Sequence, residues 1–293
     1  TAPTQPFPTW PEPVDGIVTN GLTEEFVIDY TPQLKEQAMV ILNGYRVGGL
    51  YVPALPQGHD NDYINNIGCI GGGNVIPHPP VGDPSTGLMF ASHARNCFAP
   101  GFMRPTNGVD RDNPNYPIPG QGGVTPNSTP TTGKTVVAWL PGGGGGLPTI
   151  DGLRVFKPMD NQLTAYQMNS GEKAWSMAVG PTPDSIKNHP LLEGVDVPDT
   201  GGVGWSIQMV MDDLLVQTRA MSEGGVQQIP DAPLTLNARD KFTGEIVGSV
   251  PLPAPGQYGM MTYMHQGKHY IVVQIGSSRT DFPAALVAYR LPN

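Results

Sequence analysis

The segment Leu163-Thr-Ala-Tyr-Gln-Met-Asn-Ser-Gly-Glu-Lys-Ala-Trp175 recurs in outline as Leu236-Asn-Ala-Arg-Asp-Lys-Phe-Thr-Gly-Glu-Ile-Val-Gly248. Both copies follow the pattern Ala-x-(Asp/Gln)-x-x-(Thr/Ser)-Gly-Glu. Side chains of this kind close a turn by hydrogen bonds to the backbone, and glycine accepts a positive φ. The pattern therefore predicts a β-hairpin in each copy. Asp83-Pro-Ser-Thr-Gly87 is a shorter version of the same turn. The alternative is that a common hairpin turn recurs by chance.

One such hairpin in each four-stranded sheet is typical of a β-propeller, in which every blade repeats the same unit. Short strand-like segments separated by turn residues support an all-β fold. We predict strands at 50–54, 63–70, 88–92, 136–140, 163–167, 174–179, 207–211, 214–218, 234–238, 246–250, 259–264, 269–275 and 285–290.

The composition is consistent with many short strands and long loops. The chain has 293 residues, of which 38 are glycine and 33 proline, interleaved with 38% hydrophobic residues. Only 14% are charged, which favours a surface partly buried against another subunit. The net charge of −9, without a basic stripe, argues against a nucleic-acid partner. No apolar run approaches the ~18–20 residues of a membrane span.

Four regions of the chain are predicted to have different organisation. Residues 1–20 are rich in proline and predict an extended arm, and 21–293 contain the propeller blades. One short helix is predicted at about 32–44, with Thr31 as its cap and Pro32 in its first turn. Residues 100–135 predict a long loop of the kind that usually serves function or an interface.

The two cysteines, Cys69 and Cys97, lie 28 positions apart. Each borders a predicted strand or turn, so a disulfide in an oxidising compartment is one interpretation. Two buried free thiols are the other.

The first repeat copy, which ends in Trp175, resembles the tryptophan-docking motif of quinoprotein propellers. The second copy departs from it, because Gly248 stands in place of the tryptophan. Other segments resemble membrane-type glucose and quinate dehydrogenases that depend on pyrroloquinoline quinone (PQQ). They are Thr4-Gln-Pro-Phe-Pro-Thr9, Leu22-Thr-Glu-Glu, Asp29-Tyr-Thr-Pro-Gln-Leu34, Asp151-Gly-Leu-Arg-Val-Phe-Lys-Pro158, Gly180-Pro-Thr-Pro-Asp-Ser-Ile-Lys-Asn-His-Pro190, Met261-Thr-Tyr263, Gly267-Lys-His-Tyr-Ile-Val-Val273 and Ala285-Leu-Val-Ala-Tyr-Arg-Leu-Pro292.

This resemblance implies that the chain is about half of an eight-bladed quinoprotein β-propeller, the carboxy-terminal half. It also implies PQQ and Ca²⁺ as cofactors, both bound largely by another half. The family's catalytic Asp lies in a His-Asp-x-Trp-Asp-type segment, and the 293 residues contain no such segment. We therefore expect no catalytic residue here and a partner polypeptide, the amino-terminal half, that carries the Asp.

The resemblance also suggests which residues contact the cofactor. The family places an Asn or Trp near the quinone in the Gly-rich stretch that here reads Gly71-Gly-Gly-Asn74, so Gly73 and Asn74 are candidates. Gly204 and Trp205 enter the next blade where the family approaches the quinone. His78 is a candidate for the substrate pocket. For Asn74 the alternative is a turn residue, for Trp205 a core or interface residue, and for His78 a surface loop residue. No zinc-like cluster is visible.

Three functional hypotheses follow. The first is a subunit of a periplasmic PQQ-dependent dehydrogenase that oxidises an alcohol, polyol or sugar and passes electrons to a quinone or cytochrome. The second is a non-catalytic propeller subunit for binding or scaffolding that has lost the cofactor, because Val-Ile-Pro-His replaces the family's nearby Trp after Asn74. The third is a homodimer that closes a complete propeller by itself.

Overall fold

The computed structural model describes thirteen stretches of the chain: 24–47, 55–56, 63, 65–71, 80–94, 96–98, 101–103, 140–141, 147–157, 161–201, 205–220, 233–276 and 282–290. Strands dominate these residues and helices are few, which confirms the all-β class. The helices are α1 (Pro32–Leu42) and α2 (Asp184–Lys187), with single 3₁₀ turns at Glu24–Phe26 and Pro190–Leu192.

The strands fall into an irregular first part and a regular second part. The strands before residue 155, short except for one of six residues, are β1 (Tyr45–Arg46), β2 (Leu55–Pro56), β3 (Asn65–Asn66), β4 (Gly68–Gly71), β5 (Val81–Asp83), β6 (Leu88–His93), β7 (Asn96–Phe98), β8 (Gly101–Met103), β9 (Leu140–Pro141), β10 (Thr149–Ile150) and β11 (Leu153–Arg154). The longer ones are β12 (Gln162–Gln167), β13 (Lys173–Ala178), β14 (Trp205–Met211), β15 (Leu214–Ala220), β16 (Thr235–Asp240), β17 (Ile246–Pro251), β18 (Gly256–His265), β19 (Lys268–Ile275) and β20 (Ala285–Arg290).

Helix α1 begins as predicted and ends two residues earlier than predicted. The Thr31 side chain accepts a hydrogen bond from the Leu34 N–H at 3.2 Å, and Pro32 occupies the first turn, where its missing N–H costs nothing. At the other end, the N–H groups of Asn43 and Gly44 bond back to the carbonyls of Met39 and Ile41. These bonds satisfy the last turn, and Tyr45 then starts β1.

The apolar side of α1 packs into the first of three cores. Leu34, Ala38 and Leu42 recur at helical spacing and are buried. They meet residues from the neighbouring strands and the second 3₁₀ turn: Val27, Ile28, Ile67, Ile150, Leu153, Val155, Phe156 and Leu192. The helix is therefore fixed by tertiary contacts rather than by its own length.

Two sheets each contain four antiparallel strands in sequential order. The first sheet is β5-β6-β12-β13, and its long connection lies between β6 and β12. In the second sheet, β14, β15, β16 and β17 pair in succession. Strands β18, β19 and β20 form a third set, joined to the second sheet by the single parallel pair Ala220↔Gly256. We call this set the third sheet.

The three sheets stack face to face. Leu88, Phe90, Leu163, Ala165 and Leu215 form the core between the first and second sheets. The core between the second and third is aliphatic as well: Val216, Leu236, Leu252, Ala254, Ile271, Val273 and Ile275. Antiparallel meanders stacked in this way, two of four strands and one of three among the described residues, are the arrangement of propeller blades.

The repeat copies form the same hairpin. Gly171 (φ +76°) and Gly244 (φ +79°) supply the positive φ. Their N–H groups bond to the carbonyls of Gln167 and Asp240 at 2.7 and 2.8 Å. Ala165 pairs with Trp175, as Ala238 pairs with Gly248, and the register shifts just after the alanine in both copies. The hairpin prediction is therefore confirmed, since both copies form the same turn with the same register and the same bulge.

The structure corrects several boundaries. The predicted strand 63–70 is two short strands, because Ile67 turns into the first core and its N–H bonds to the Arg46 carbonyl. The predicted loop 100–135 cannot start at 100, because Gly101–Met103 pairs with β2 and β9. Helix α2 was not predicted, since one turn of helix leaves no periodicity. The arm 1–20, the strand 50–54, the glycines 142–146 and most of 136–140 lie outside the described residues.

Candidate functional site

The two ends of the stacked sheets differ in how the strands are connected. At one end, which we call the turn end, short turns lie at 84–87, 168–172, 212–213, 241–245 and 266–267. At the other, the loop end, long connections lie at 94–161, 179–204 and 221–234. Long connections on a rigid scaffold usually carry binding or catalytic residues. The loop end is therefore the candidate functional end.

At the turn end, Trp175 joins the first sheet to the second. Its indole N–H donates a hydrogen bond to the Lys241 carbonyl at 3.1 Å, and its ring lies 5.9 Å from that of Phe90. A Cβ on Gly244 would lie only 3.1 Å from two carbons of the indole. Glycine at this turn thus serves both the positive φ and the close approach of the tryptophan.

A buried ion pair lies beside this contact. Lys241 Nζ is 2.7 Å from Asp83 Oδ2 and also donates to the Asp212 carbonyl. Both charged side chains are nearly fully buried. The hydroxyls of Ser85 and Thr86 also donate to the carboxylate, at 2.6 and 2.7 Å, as does the Ser85 N–H at 3.0 Å. The Lys241 ammonium, followed by the Ser85 and Thr86 hydroxyls, holds the pKa of Asp83 well below its usual range.

Arg239 is a second buried basic residue of the second sheet. Its guanidinium donates to Gln217 Oε1 at 3.1 Å, to the Gly244 carbonyl at 2.8 Å and towards Met177 Sδ at 3.2 Å. Burial lowers the pKa of Arg239, but an arginine with an ordinary pKa above 12 remains charged. Neither Arg239 nor Lys241 was identified from the sequence. The signal available was that both basic residues lie in the second repeat copy, where the first copy has Tyr166 and Met168.

At the loop end, buried polar side chains lie directly under the start of β14. The Ser206 N–H donates to Ser92 Oγ at 2.9 Å, and Ser92 Oγ donates to Asn161 Oδ1 at 3.2 Å. Gln217 Nε2 donates to Ser206 Oγ at 3.1 Å, which connects this layer to Arg239. The layer fixes the backbone just after Trp205, which is the first residue of β14.

The connection that leads to Trp205 is anchored by close packing. Gly201 has φ +87°, and a Cβ there would lie 2.1 Å from the Asn161 carbonyl oxygen. The Gln162 side chain donates to the Thr200 carbonyl at 3.2 Å, and Thr182 Oγ1 accepts from the Thr200 N–H at 3.1 Å. Asn161 Nδ2 and Thr200 Oγ1 are buried and have no hydrogen-bond partner among the described residues.

The predicted site residues divide into two groups. Trp205 lies at the loop end, at the start of β14, and only its backbone is described. Gly73, Asn74, His78 and Gly204 lie outside the described residues, so their roles stay predictions.

Cys97 lies in β7, which pairs with β4, the strand that contains Cys69. The Cys97 sulfur is in a disulfide, and no cysteine of the described part of the chain is free. Cys69 is the only other cysteine in the sequence. The pairing of Cys69 with Cys97 stays the prediction that fits these facts.

Within the described stretches, no three His, Cys, Asp or Glu side chains are grouped so that they could hold a metal ion. The same stretches contain no helix long and apolar enough to cross a membrane.

The fold and the tryptophan contact define a class of protein: a β-propeller in which the indole of one blade docks on the hairpin of the next. Residues 1–271 match the family described as PQQ: glucose/ethanol/alcohol dehydrogenase, beta-propeller domain. The chain belongs to this family of PQQ-dependent dehydrogenases.

The relatives are much longer than this chain. The glycerol dehydrogenase large subunit of Gluconobacter oxydans is 30% identical over 197 residues, which are 62% of this chain and 23% of that protein. A quinohemoprotein alcohol dehydrogenase from Comamonas testosteroni aligns with 73% of this chain and 25% of its own, at 18% identity and a TM-score of 0.38. A second, from Pseudomonas putida HK5, aligns with 71% and 22%, at 14% identity and a TM-score of 0.32. The chain thus spans about a quarter of the length of these proteins.

Proposed function

We propose that this chain is a subunit of a periplasmic PQQ-dependent dehydrogenase that oxidises an alcohol, polyol or sugar. The family match over residues 1–271 carries the proposal. In this assignment the chain supplies one wall of the cofactor pocket at its loop end, and an amino-terminal propeller half supplies the catalytic Asp. The electrons pass to a quinone or a cytochrome.

The donor chemistry of the loop end fits such a cofactor. PQQ has carboxylate and quinone oxygens, which accept hydrogen bonds, and it supplies the hydride-accepting chemistry when bound. Asn161 Nδ2 and Thr200 Oγ1 are buried donors without partners among the described residues, and both lie close to the segment that leads to Trp205. Gly73, Asn74, Gly204 and Trp205 would line the cofactor, and His78 would face the substrate. The carboxylates that hold Ca²⁺ would come largely from the partner half.

The polar layer beneath Trp205 has a positioning role in this proposal. Ser92, Asn161 and Ser206 connect two sheets at the point where β14 begins. Because these groups are buried and hydrogen-bonded to one another, they hold the start of β14 in one place. A fixed backbone is what a pocket wall requires, since binding groups act by their position.

The first test of this proposal is PQQ content. The full chain is purified with whatever assembles with it, the assembly is denatured, and the extract is assayed for PQQ. We expect close to one PQQ for each copy of the chain and dye-linked alcohol oxidation by the intact assembly. An extract without PQQ contradicts the proposal and favours the binding or scaffold subunit instead.

A pair of variants locates the pocket. We expect Asn74→Ala to lower PQQ retention at least about tenfold, since a lost hydrogen bond to a charged group costs ~1.5–3 kcal/mol. Phe242→Ala is the control, because Phe242 is exposed at the turn end, far along the strands from Trp205. Equal PQQ retention in the two variants would remove Asn74 from the site.

A further inference from the structure

A row of polar side chains crosses the first sheet near the loop end. His93 Nε2 lies 2.8 Å from Thr164 Oγ1, and Thr164 Oγ1 lies 2.7 Å from Ser176 Oγ. The three residues belong to β6, β12 and β13, so the row runs from an inner strand of the sheet to its outer strand. We call His93, Thr164 and Ser176 the polar row.

The polar row leads from the interior to the surface. The His93 ring is buried, with 4% of the residue exposed, and Thr164 is 0% exposed. Ser176, on the outer strand, is exposed. Water therefore reaches Ser176 directly, and the Thr164 hydroxyl connects the buried ring to it.

The inner end of the polar row lies at the loop end of the molecule. His93 is the last residue of β6, and Ser92 before it accepts the N–H hydrogen bond that fixes the start of β14. Gln162, which pairs with His93 across the strands, donates to the Thr200 carbonyl on the connection that leads to Trp205. The row therefore begins at the strand ends that support the proposed cofactor wall.

The hydrogen bonds of the polar row can run in either direction. An imidazole nitrogen donates or accepts according to its tautomer, and a hydroxyl has one proton and two lone pairs. In one arrangement His93 donates to Thr164 and Thr164 donates to Ser176, and in the other each donation is reversed. A proton that moves from the ring to Thr164 sends the Thr164 hydroxyl proton to Ser176 and the Ser176 hydroxyl proton to water. One proton thus reaches water for each proton that leaves the ring.

The equivalent positions of the second sheet have a different chemistry. Asn237 and Ser249 pair across the strands as Thr164 and Ser176 do, and Ser249 Oγ donates to Asn237 Oδ1 at 2.8 Å. An amide does not titrate in the ordinary pH range, so this pair links two strands without passing a proton. It provides a matched control for the polar row.

We propose that the polar row is a proton pathway from the loop end to the outer edge of the first sheet. Oxidation of an alcohol to a carbonyl compound releases two electrons and two protons, and an acceptor such as a cytochrome takes the electrons alone. Both protons must then reach water. Histidine suits the inner end, because its ring takes up a proton at one nitrogen and releases one from the other. The inference rests on the proposed function and specifies how the protons of that reaction leave.

The first test measures how fast the ring N–H of His93 exchanges with water, by NMR of the full chain with isotope-labelled histidine. The loss of one signal in His93→Gln identifies the ring. Thr164→Val replaces the hydroxyl with a methyl group of similar size, so the ring then exchanges only when the sheet opens locally. We expect exchange at least about tenfold slower in Thr164→Val than in the wild type. Equal rates in the two would overturn the proposal.

A pair of surface variants tests the outer end of the polar row. Ser176→Val replaces the last hydroxyl with an apolar side chain that suits a strand, and Ser249→Val makes the same change at the matched position. Both serines are exposed, so both variants should fold, as melting will check. We expect Ser176→Val to slow the exchange of His93 at least about tenfold and Ser249→Val to leave it unchanged. Equal rates in these two variants would contradict the pathway.

Turnover of the native assembly separates this inference from the proposed function. We expect Ser176→Val to lower kcat for alcohol oxidation at least about threefold and to leave KM unchanged, because proton transfer acts on the chemical step. Ser249→Val should change neither, and an unchanged kcat in Ser176→Val would exclude the polar row from the reaction. Exchange that depends on the polar row, in an assembly without PQQ, would refute the proposed activity alone. Exchange that does not depend on it, in an assembly with PQQ, would refute this inference alone.

Discussion

Lys241 joins the first two sheets through both its side chain and its main chain. The ammonium pairs with Asp83 of the first sheet, and the carbonyl accepts the Trp175 indole N–H. A buried pair of this kind is not a strong source of stability by itself, because two charges had to leave water. Removing one partner is strongly destabilising, since the remaining charge stays buried without its counter-charge.

We therefore expect Lys241→Met to lower the melting temperature by more than ~5 °C, because Asp83 keeps its charge and loses its cation. Lys173→Met is the matched control, since Lys173 is exposed on the outer strand of the first sheet. Differential scanning calorimetry of both variants measures the effect. Similar melting temperatures for the two would show that the buried pair contributes nothing.

The same pair predicts how stability depends on pH. The pKa of Asp83 is lowered in the folded state, mainly by the Lys241 ammonium. A lowered pKa means that the unfolded chain binds the proton first, so the contribution is fully present above about pH 3.9 and is lost as the pH falls below it. Urea unfolding between pH 2.5 and 6 should show that the free energy of unfolding falls more steeply towards acid pH in the wild type than in Asp83→Asn. Parallel profiles would rule out this role for Asp83.

At the scale of elements, the glycine of the second repeat hairpin meets two requirements. Both copies need a glycine with positive φ, and Gly244 is also pressed against a neighbouring sheet. A Cβ there would lie 2.2 Å from Met177 Cε and 3.1 Å from the indole. Rotation about the Met177 Cγ–Sδ bond can move Cε and leave the sulfur in place, whereas the indole is held by its hydrogen bond to the Lys241 carbonyl.

We expect Gly244→Ala to destabilise the chain by ~1–3 kcal/mol more than Gly267→Ala, since overpacking is added to the cost of the φ angle. Gly267 is the control because its φ is +72° and nothing lies within 4 Å of its Cβ position. Urea unfolding of the two variants gives the difference, and equal losses would mean that the indole does not dock tightly on this turn.

At the scale of the whole molecule, the disulfide of Cys97 closes a covalent loop in the chain. If Cys97 pairs with Cys69, the loop spans 28 positions. A loop of that length restricts the unfolded chain enough to stabilise the folded state by about 3–4 kcal/mol in the chain-entropy model. It also ties β4 to β7 beside the core that holds α1.

We expect a reducing agent to lower the melting temperature of the wild type and to leave that of Cys97→Ser unchanged. The reductant and the substitution should produce the same final value, because both remove the same cross-link. Thermal melting with and without dithiothreitol measures this. If the reductant frees the Cys97 thiol, as thiol titration will check, and the melting temperature of the wild type does not change, the loop constraint is unimportant.

The local features of this protein were determined by its sequence. The hairpins at 163–175 and 236–248, the capped helix at Thr31 and the strand pattern after residue 152 all follow from turn chemistry and spacing, which act between near neighbours. The family could also be anticipated, because the resemblance depends on residues in order along the chain. Trp175 could be identified as the docking tryptophan, and Trp205 as a candidate cofactor contact, for the same reason.

Only the tertiary structure decided which residues meet across the sheets. Asp83 and Lys241 are 158 positions apart, and nothing in either local sequence predicts a buried pair. The same holds for Ser92 and Ser206 and for the contact between Trp175 and Gly244, since these depend on how twisted sheets stack. The exposure of Leu286 in β20, where Leu163 in β12 and Leu236 in β16 hold the equivalent positions and are buried, also appears only when all three sheets are placed side by side. Burial is a property of neighbours in space, and a repeat in the sequence shows equivalence without showing what covers each copy.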